Sequence, residues 1–199
     1  MSSIFRYFSD FEGDIIYDGV SIKDIDIQKL RSSITIIPQD PVLFSASIRK
    51  NLDPTGRHSY GEVEAVLREV GLWDKFSAHG GIEAQIDYGG SKLSQGEKQL
   101  VCFGRAMLQK NKLILMDEAT ANIDSLTETT IQKLIQQKFV GCTIMMIAHK
   151  LNTIMICDQI LILDKGSIIE YGNLQTLKNK EDGVLNQLLK STDLIKEFC

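Results

Sequence analysis

The run Lys112-Leu113-Ile114-Leu115-Met116-Asp117-Glu118 constrains the fold more than any other stretch. Four consecutive apolar residues leave no polar face. They fit a strand covered on both sides, as in a parallel sheet flanked by helices. Two acids follow at once. They stand at the carboxyl end of that strand, the edge where open α/β sheets bind ligands. Asp117 is placed to hold a Mg²⁺ ion, which takes hard oxygen ligands and shares them with substrate phosphates. Glu118 is placed to orient or deprotonate an attacking water. Taken alone, the same pattern also fits a surface turn after a core strand.

Similar short apolar runs occur at Asp14–Tyr17, Ser33–Ile37, Thr143–Ala148, Gln159–Leu163 and Ser167–Glu170. Between the last two, Asp164-Lys165-Gly166 reads as a hairpin turn. Helical spacing of apolar residues predicts helices around Val63–Val70, Leu100–Leu108, Ile131–Ile135 and Val184–Leu189. Alternating strands and helices predict an α/β fold with a largely parallel sheet. Residues 41–104 show helices and no convincing strand. We therefore expect one domain over 1–199, with an α/β core of residues 1–40 and 105–199 and an inserted helical sub-domain of residues 41–104.

Composition removes several function classes. The chain has 199 residues, 43% of them hydrophobic, and a net charge of −4, enough apolar content for a core and too acidic for general polyanion binding. Its longest apolar run, Ile144–Ala148, is far below the ~18 residues that span a bilayer. Arg6 is the sole cation before residue 14, unlike a secretory signal. The four cysteines and three histidines show no zinc-ligand spacing, so free thiols in a reducing compartment are expected.

Other segments give the Asp-Glu strand its context. In Leu93-Ser94-Gln95-Gly96-Glu97-Lys98-Gln99, Ser94 is a good helix N-cap and Glu97 completes a capping box. Those two are explained by local chemistry. Gly96 is not, because glycine weakens a first helical turn. It makes sense where something approaches the backbone closely, and a helix N-terminus with Ser and Gly suits a phosphate. His149 follows the Thr143–Ala148 strand and would project from the same sheet edge as Asp117. Gln39 ends the strand before it and can meet a metal-bound water or a phosphate. The bland alternatives are a structural histidine and a Pro-Gln loop start.

In this order, the set resembles the nucleotide-binding domain of an ATP-binding cassette (ABC) transporter, over essentially the whole chain. Leu93–Gln99 is similar to the family's signature motif, Leu113–Glu118 to its Walker B strand with catalytic glutamate, and Ala119–Asp124 to its D-loop. Gln39 is similar to the Q-loop glutamine and His149 to the switch histidine. The stretch Ile37–Ser45, with Asn51-Leu52-Asp53-Pro54, resembles the C subfamily of multidrug-resistance-associated exporters. Glutamate at 118 resembles that subfamily's second, C-terminal nucleotide-binding domain.

The resemblance implies a P-loop NTPase-type fold, ATP and Mg²⁺ as ligands, and a head-to-tail pair with a second nucleotide-binding domain. It also implies transmembrane partners and a place at the cytoplasmic face of a membrane. Glu118 and His149 would be catalytic. Ser2, Ser3 and Gln39 would bind nucleotide, and Asp117, Gln39 and Ser2 would serve Mg²⁺, partly through water. Ser94, Gln95 and Gly96 would face the partner's ATP, and Asp124 would lie in the D-loop. The segment from Phe44 to Leu52 would face the transmembrane partner.

Two departures stand out. Glu97 replaces the glutamine usual in the family, putting a negative charge near a phosphate site. No glycine is followed by lysine, so G-x-x-x-x-G-K-[ST] is absent. Met1-Ser2-Ser3-Ile4-Phe5 resembles the end of that motif and the start of the helix after it, with Met1 where the lysine belongs. We expect a chain cut inside its P-loop, impaired alone as an ATPase. The rival reading is a degenerate binding module that only lends its signature helix to a partner's ATP site. Chromosome-structure and DNA-repair ATPases share these motifs, but the Gln39–Ser94 interval lacks their coiled-coil insertion, and the acidic charge disfavours nucleic acid.

Overall fold

The Leu113–Asp117 run forms a strand, β6, at the centre of a three-stranded parallel sheet. Its neighbours are β3 (Ile34–Ile37) and β7 (Thr143–Ile147), in the order β3-β6-β7. The register pairs Ile37 with Met116 and Asp117 with Ile147, so three strands end at one edge. The computed structural model describes residues 1–8, 11–120, 123–148 and 150–196, with side chains through 190. It divides into two units, Met1–Ile147 and Ala148–Cys199.

Alternation along β6 divides its side chains between two cores. Leu115, fully buried, packs with Ile22, Leu30 and Ile34. Ile114 and Met116 enter the larger cluster around Phe103, Leu67 and Ile131. This two-sided burial matches the expectation from an unbroken apolar run. β7 departs from it: Ile144 and Met146 pack on the larger cluster, whereas Met145 and Ile147 are exposed. β7 is the edge of this three-stranded sheet, and within the first unit only one of its faces packs on a core.

Before β3, residues 16–21 make a tight hairpin of β1 (Ile16–Tyr17) and β2 (Val20–Ser21). Asp18 and Gly19 both have positive φ, the turn whose twist suits a two-residue hairpin. Helix α1 (Ile27–Ser33) follows, capped by Asp26, which accepts from the N–H groups of Gln28 and Lys29.

Residues 41–104 carry α2 (Ile48–Leu52), α3 (Tyr60–Glu69) and α4 (Trp73–Ser77) and most of α5 (Gln95–Gln109). They also contain strands that the sequence did not suggest, β4 (Ala46–Ser47) and β5 (Gln85–Ile86), paired antiparallel. Two residues are too few to show alternation. α6 (Ser125–Lys138) connects β6 to β7, and its Ile131 and Leu134 are buried as the spacing predicts.

The second unit holds α7 (Leu151–Ile154), β8 (Ile160–Asp164), β9 (Ser167–Gly172), α8 (Leu174–Lys178) and α9 (Val184–Lys196). β8 and β9 form the expected hairpin, with Lys165 and Gly166 in the left-handed region at its turn. Glu170 ties this unit together. Its buried carboxylate accepts from the Val184 and Leu185 N–H groups at 3.0 and 3.3 Å and pairs with Lys180 at 3.1 Å. Burial pushes its pKa up, but the Leu185 N–H, Lys180 and the Val184 N–H outweigh burial and hold it low.

Two predictions follow from packing and charge. Leu115→Ala removes a side chain with no exposure, and should destabilise the chain by about 2–5 kcal/mol in urea unfolding. Glu170, with its depressed folded-state pKa, contributes stability present above its ordinary value of about 4.3 and lost as pH falls through the lower folded value. Hydrogen exchange at the Val184 and Leu185 amides should therefore accelerate below about pH 4, relative to intrinsic rates. Glu170→Gln should abolish that pH dependence.

Candidate active site at the parallel strand ends

Parallel pairing brings two of the predicted residues into contact. Gln39, just beyond β3, donates from Nε2 to Glu118 Oε2 at 3.3 Å. Glu118 follows β6 in the left-handed region, at φ 43°. This conformation costs a non-glycine residue about 1–2 kcal/mol. It is held by the Glu118 N–H donating to the Ile147 carbonyl at 3.1 Å. The turn swings the carboxylate off the strand direction to meet Gln39. Asp117 remains in the strand, half-buried.

Gln99 fixes this edge, and the sequence reading gave it no role. It lies inside α5 with 1% exposure, and Nε2 donates to the carbonyls of Pro38 and Ala119 at 2.8 and 2.9 Å. One amide thus clamps the residues just before Gln39 and just after Glu118. Only tertiary contact reveals this, because Gln99 reads locally as one more polar helix residue.

The N-terminus of α5 carries a second group of the residues predicted from sequence. Ser94 Oγ accepts from the Glu97 N–H at 3.1 Å, and the Ser94 N–H donates to Glu97 Oε2 at 2.8 Å, completing the predicted capping box. Ser94 is exposed, Gln95 half-buried and Gly96 buried. The close approach expected at Gly96 is made by a protein side chain. A Cβ there would lie 2.8 Å from Thr127 Cγ2 and 2.9 Å from its Oγ1. Thr127 in turn donates to Asp124 through its N–H (2.9 Å) and hydroxyl (2.8 Å). Asp124 is thus the N-cap of α6, and these two bonds lower its carboxyl pKa. Gly96 and Asp124 are linked through Thr127.

Behind α5, Arg105 donates to the Asn51 carbonyl at 2.6 Å, and its guanidinium lies over the Phe44 ring. Buried Asn51 brackets Phe44, accepting from its N–H at 2.8 Å and donating to its carbonyl at 3.0 Å. The segment expected to face a transmembrane partner is therefore anchored on α5. Ser2 and Ser3 are exposed within consecutive turns, not the helix expected to start there. Arg6, at φ 49°, is in the left-handed region and interrupts these turns before a helix can continue. Met1, Ile4 and Phe5 pack against the Leu115 cluster. His149 lies outside the described residues.

The cation donors predicted from sequence are all hard oxygens: one carboxylate (Asp117), one amide (Gln39) and one hydroxyl (Ser2). That set fits Mg²⁺ shared with phosphates. Among the described residues no cluster of three or more His, Cys, Asp or Glu could hold a metal alone. Cys102 is buried, and burial pushes its thiol pKa up despite nearby Arg105.

The ABC transporter family profile matches residues 1–121. The chain is 40% identical over 191 residues to ABC transporter C family member 3 of Dictyostelium discoideum, covering 96% of this chain and 14% of that one. It is 44% identical over 175 residues to ATP-binding cassette sub-family C member 2 of Rattus norvegicus, covering 87% of this chain and 11% of that one. A bacterial Atm1-family ABC exporter with ATP bound superposes with a TM-score of 0.87 at 32% identity, covering 96% of this chain and 34% of that one. The chain belongs to the ABC transporter family. Its fold is that of a P-loop NTPase, and among its relatives are members of the C subfamily. It spans 11–14% of the length of these sequence relatives. Among the described residues no helix is long and apolar enough to cross a membrane.

Gly96→Ala tests the contact with Thr127. Alanine adds helix propensity but overpacks against Thr127, so a net loss of about 1–2 kcal/mol is expected in urea unfolding. In a Thr127→Ala background the same change should cost less, because the two side chains share one space.

Proposed function

We propose that this chain is the ATP-binding and ATP-hydrolysing domain of a C-subfamily ABC exporter, at the cytoplasmic face of a membrane, coupling hydrolysis to transport. The observation that carries the reading is the Gln39–Glu118 hydrogen bond at the carboxyl edge of the parallel strands. Residues 41–104 are read as the helical sub-domain within a core of residues 1–40 and 105–199. Glutamate at 118 favours the second nucleotide-binding domain of such a transporter.

Phosphoryl transfer to water depends on positioning and charge stabilisation. Glu118 orients the attacking water and accepts its proton at a carboxylate oxygen. Gln39 holds that carboxylate in place, and His149, by its resemblance to the family's switch histidine, would be the second catalytic residue. Asp117, with Gln39 and Ser2, would hold Mg²⁺, whose charge neutralises the phosphates; Ser3 would contact nucleotide. Ser94, Gln95 and Gly96 face the ATP of a second nucleotide-binding domain paired head to tail, and Asp124 sets the adjoining D-loop. Phe44 and its neighbours meet the transmembrane domains, and Arg105 links them to the signature helix.

Glu118→Gln in the full-length transporter tests this. The amide keeps size and hydrogen bonding but cannot take a proton. ATP binding should persist, while hydrolysis falls by about 10²-fold or more. A chain that only lends its signature helix would leave hydrolysis insensitive to this substitution.

A further inference from the structure

The acidic residue in the signature motif has a partner that its position in the chain does not suggest. Lys75, in α4, places Nζ 2.8 and 2.7 Å from the two carboxylate oxygens of Glu97. The same ammonium donates to the Lys92 carbonyl at 3.3 Å, just before the motif. Glu97 Oε2 meanwhile accepts the Ser94 N–H. The carboxylate is therefore held from two sides, by the turn it caps and by a helix from elsewhere in the sub-domain. Its side chain is 26% exposed and that of Lys75 39%, so solvent screens the pair only in part.

An unpaired carboxylate at this position would put a negative charge in the first turn of α5, beside Ser94. A helix N-terminus attracts anions through its free N–H groups, and a fixed carboxylate there competes with a phosphate. Lys75 cancels that charge while leaving the capping bonds of Glu97 intact. We infer that Lys75 is a positioning residue for the partner's ATP: through its ion pair with Glu97 it keeps the signature helix N-terminus receptive to a polyphosphate. This rests on the reading that Ser94–Gly96 face a partner's nucleotide. The role belongs to the pair, because a glutamine at 97 would need no counter-charge.

The test is steady-state ATPase of the full-length transporter with four substitutions. Lys75→Met should raise the KM for ATP about fivefold, the size of one helix-terminus charge, with kcat little changed. Raising salt should shrink that increase. Lys75→Arg, which keeps the charge, should stay near native, which separates lost charge from misfolding. Adding Glu97→Gln to Lys75→Met should restore KM, which a merely structural contact of Lys75 would not predict. An unchanged KM in Lys75→Met, or a double variant as impaired as the single, overturns the inference. Ser94→Arg tests the underlying reading separately: it should abolish ATPase, and retained activity there would remove the partner-site assignment itself.

Discussion

Parallel pairing of β6 with β3 and β7 is the constraint on which the site depends. Its register aligns Ile37 with Met116 and Asp117 with Ile147. Residues far apart in sequence therefore leave the sheet at one edge. Gln39 follows from the β3 end, and Asp117 and Glu118 from the β6 end. The sheet supplies position, and Gln99 locks it by donating to carbonyls beyond both strands. The clamp also fixes α5 relative to the strand ends, because Gln99 is a residue of that helix.

α5 joins the remaining parts of the first unit. Its N-terminus presents Ser94, its first turn packs on Thr127 and so on the Asp124 cap, and its later turns hold Asn51 and Phe44 through Arg105. One continuous fifteen-residue helix therefore carries all three contacts. In the proposed function this is the physical route between the nucleotide assigned to Ser94 and the transmembrane partner assigned to Phe44. The left-handed backbone of Glu118 is held by an N–H bond to the neighbouring strand.

Much of this was legible in the sequence. The apolar runs marked β3, β6, β7 and the β8–β9 hairpin, because side-chain period and turn chemistry are local. The helices at Val63, Leu100 and Ile131 were equally plain, as was the Ser94–Glu97 capping box. Strands β4 and β5 were not, being too short to carry a period. Met145 and Ile147 showed that an apolar run does not guarantee two covered faces. At the site, residue types and order suggested Gln39 and Glu118, while Gln99, Arg105 and Lys75 were missed, since their roles exist only across elements. Gly96 was read as a point of close approach, and Thr127 makes that approach. Glu97 was read as an added negative charge, and the structure gives it a lysine.

In the proposed function one chain serves two nucleotides, its own at the strand ends and a partner's at the start of α5. Photolabelling the full-length transporter with an ATP analogue carrying its reactive group on the γ-phosphate tests this most directly. Label is expected on two peptides of this chain, one containing Gln39 or Asp117–Glu118 and one containing Ser94–Gly96. Only the second should vanish when nucleotide binding by the partner domain is blocked. Label at Ser94–Gly96 that persists without the partner's nucleotide, or none there at all, would contradict it.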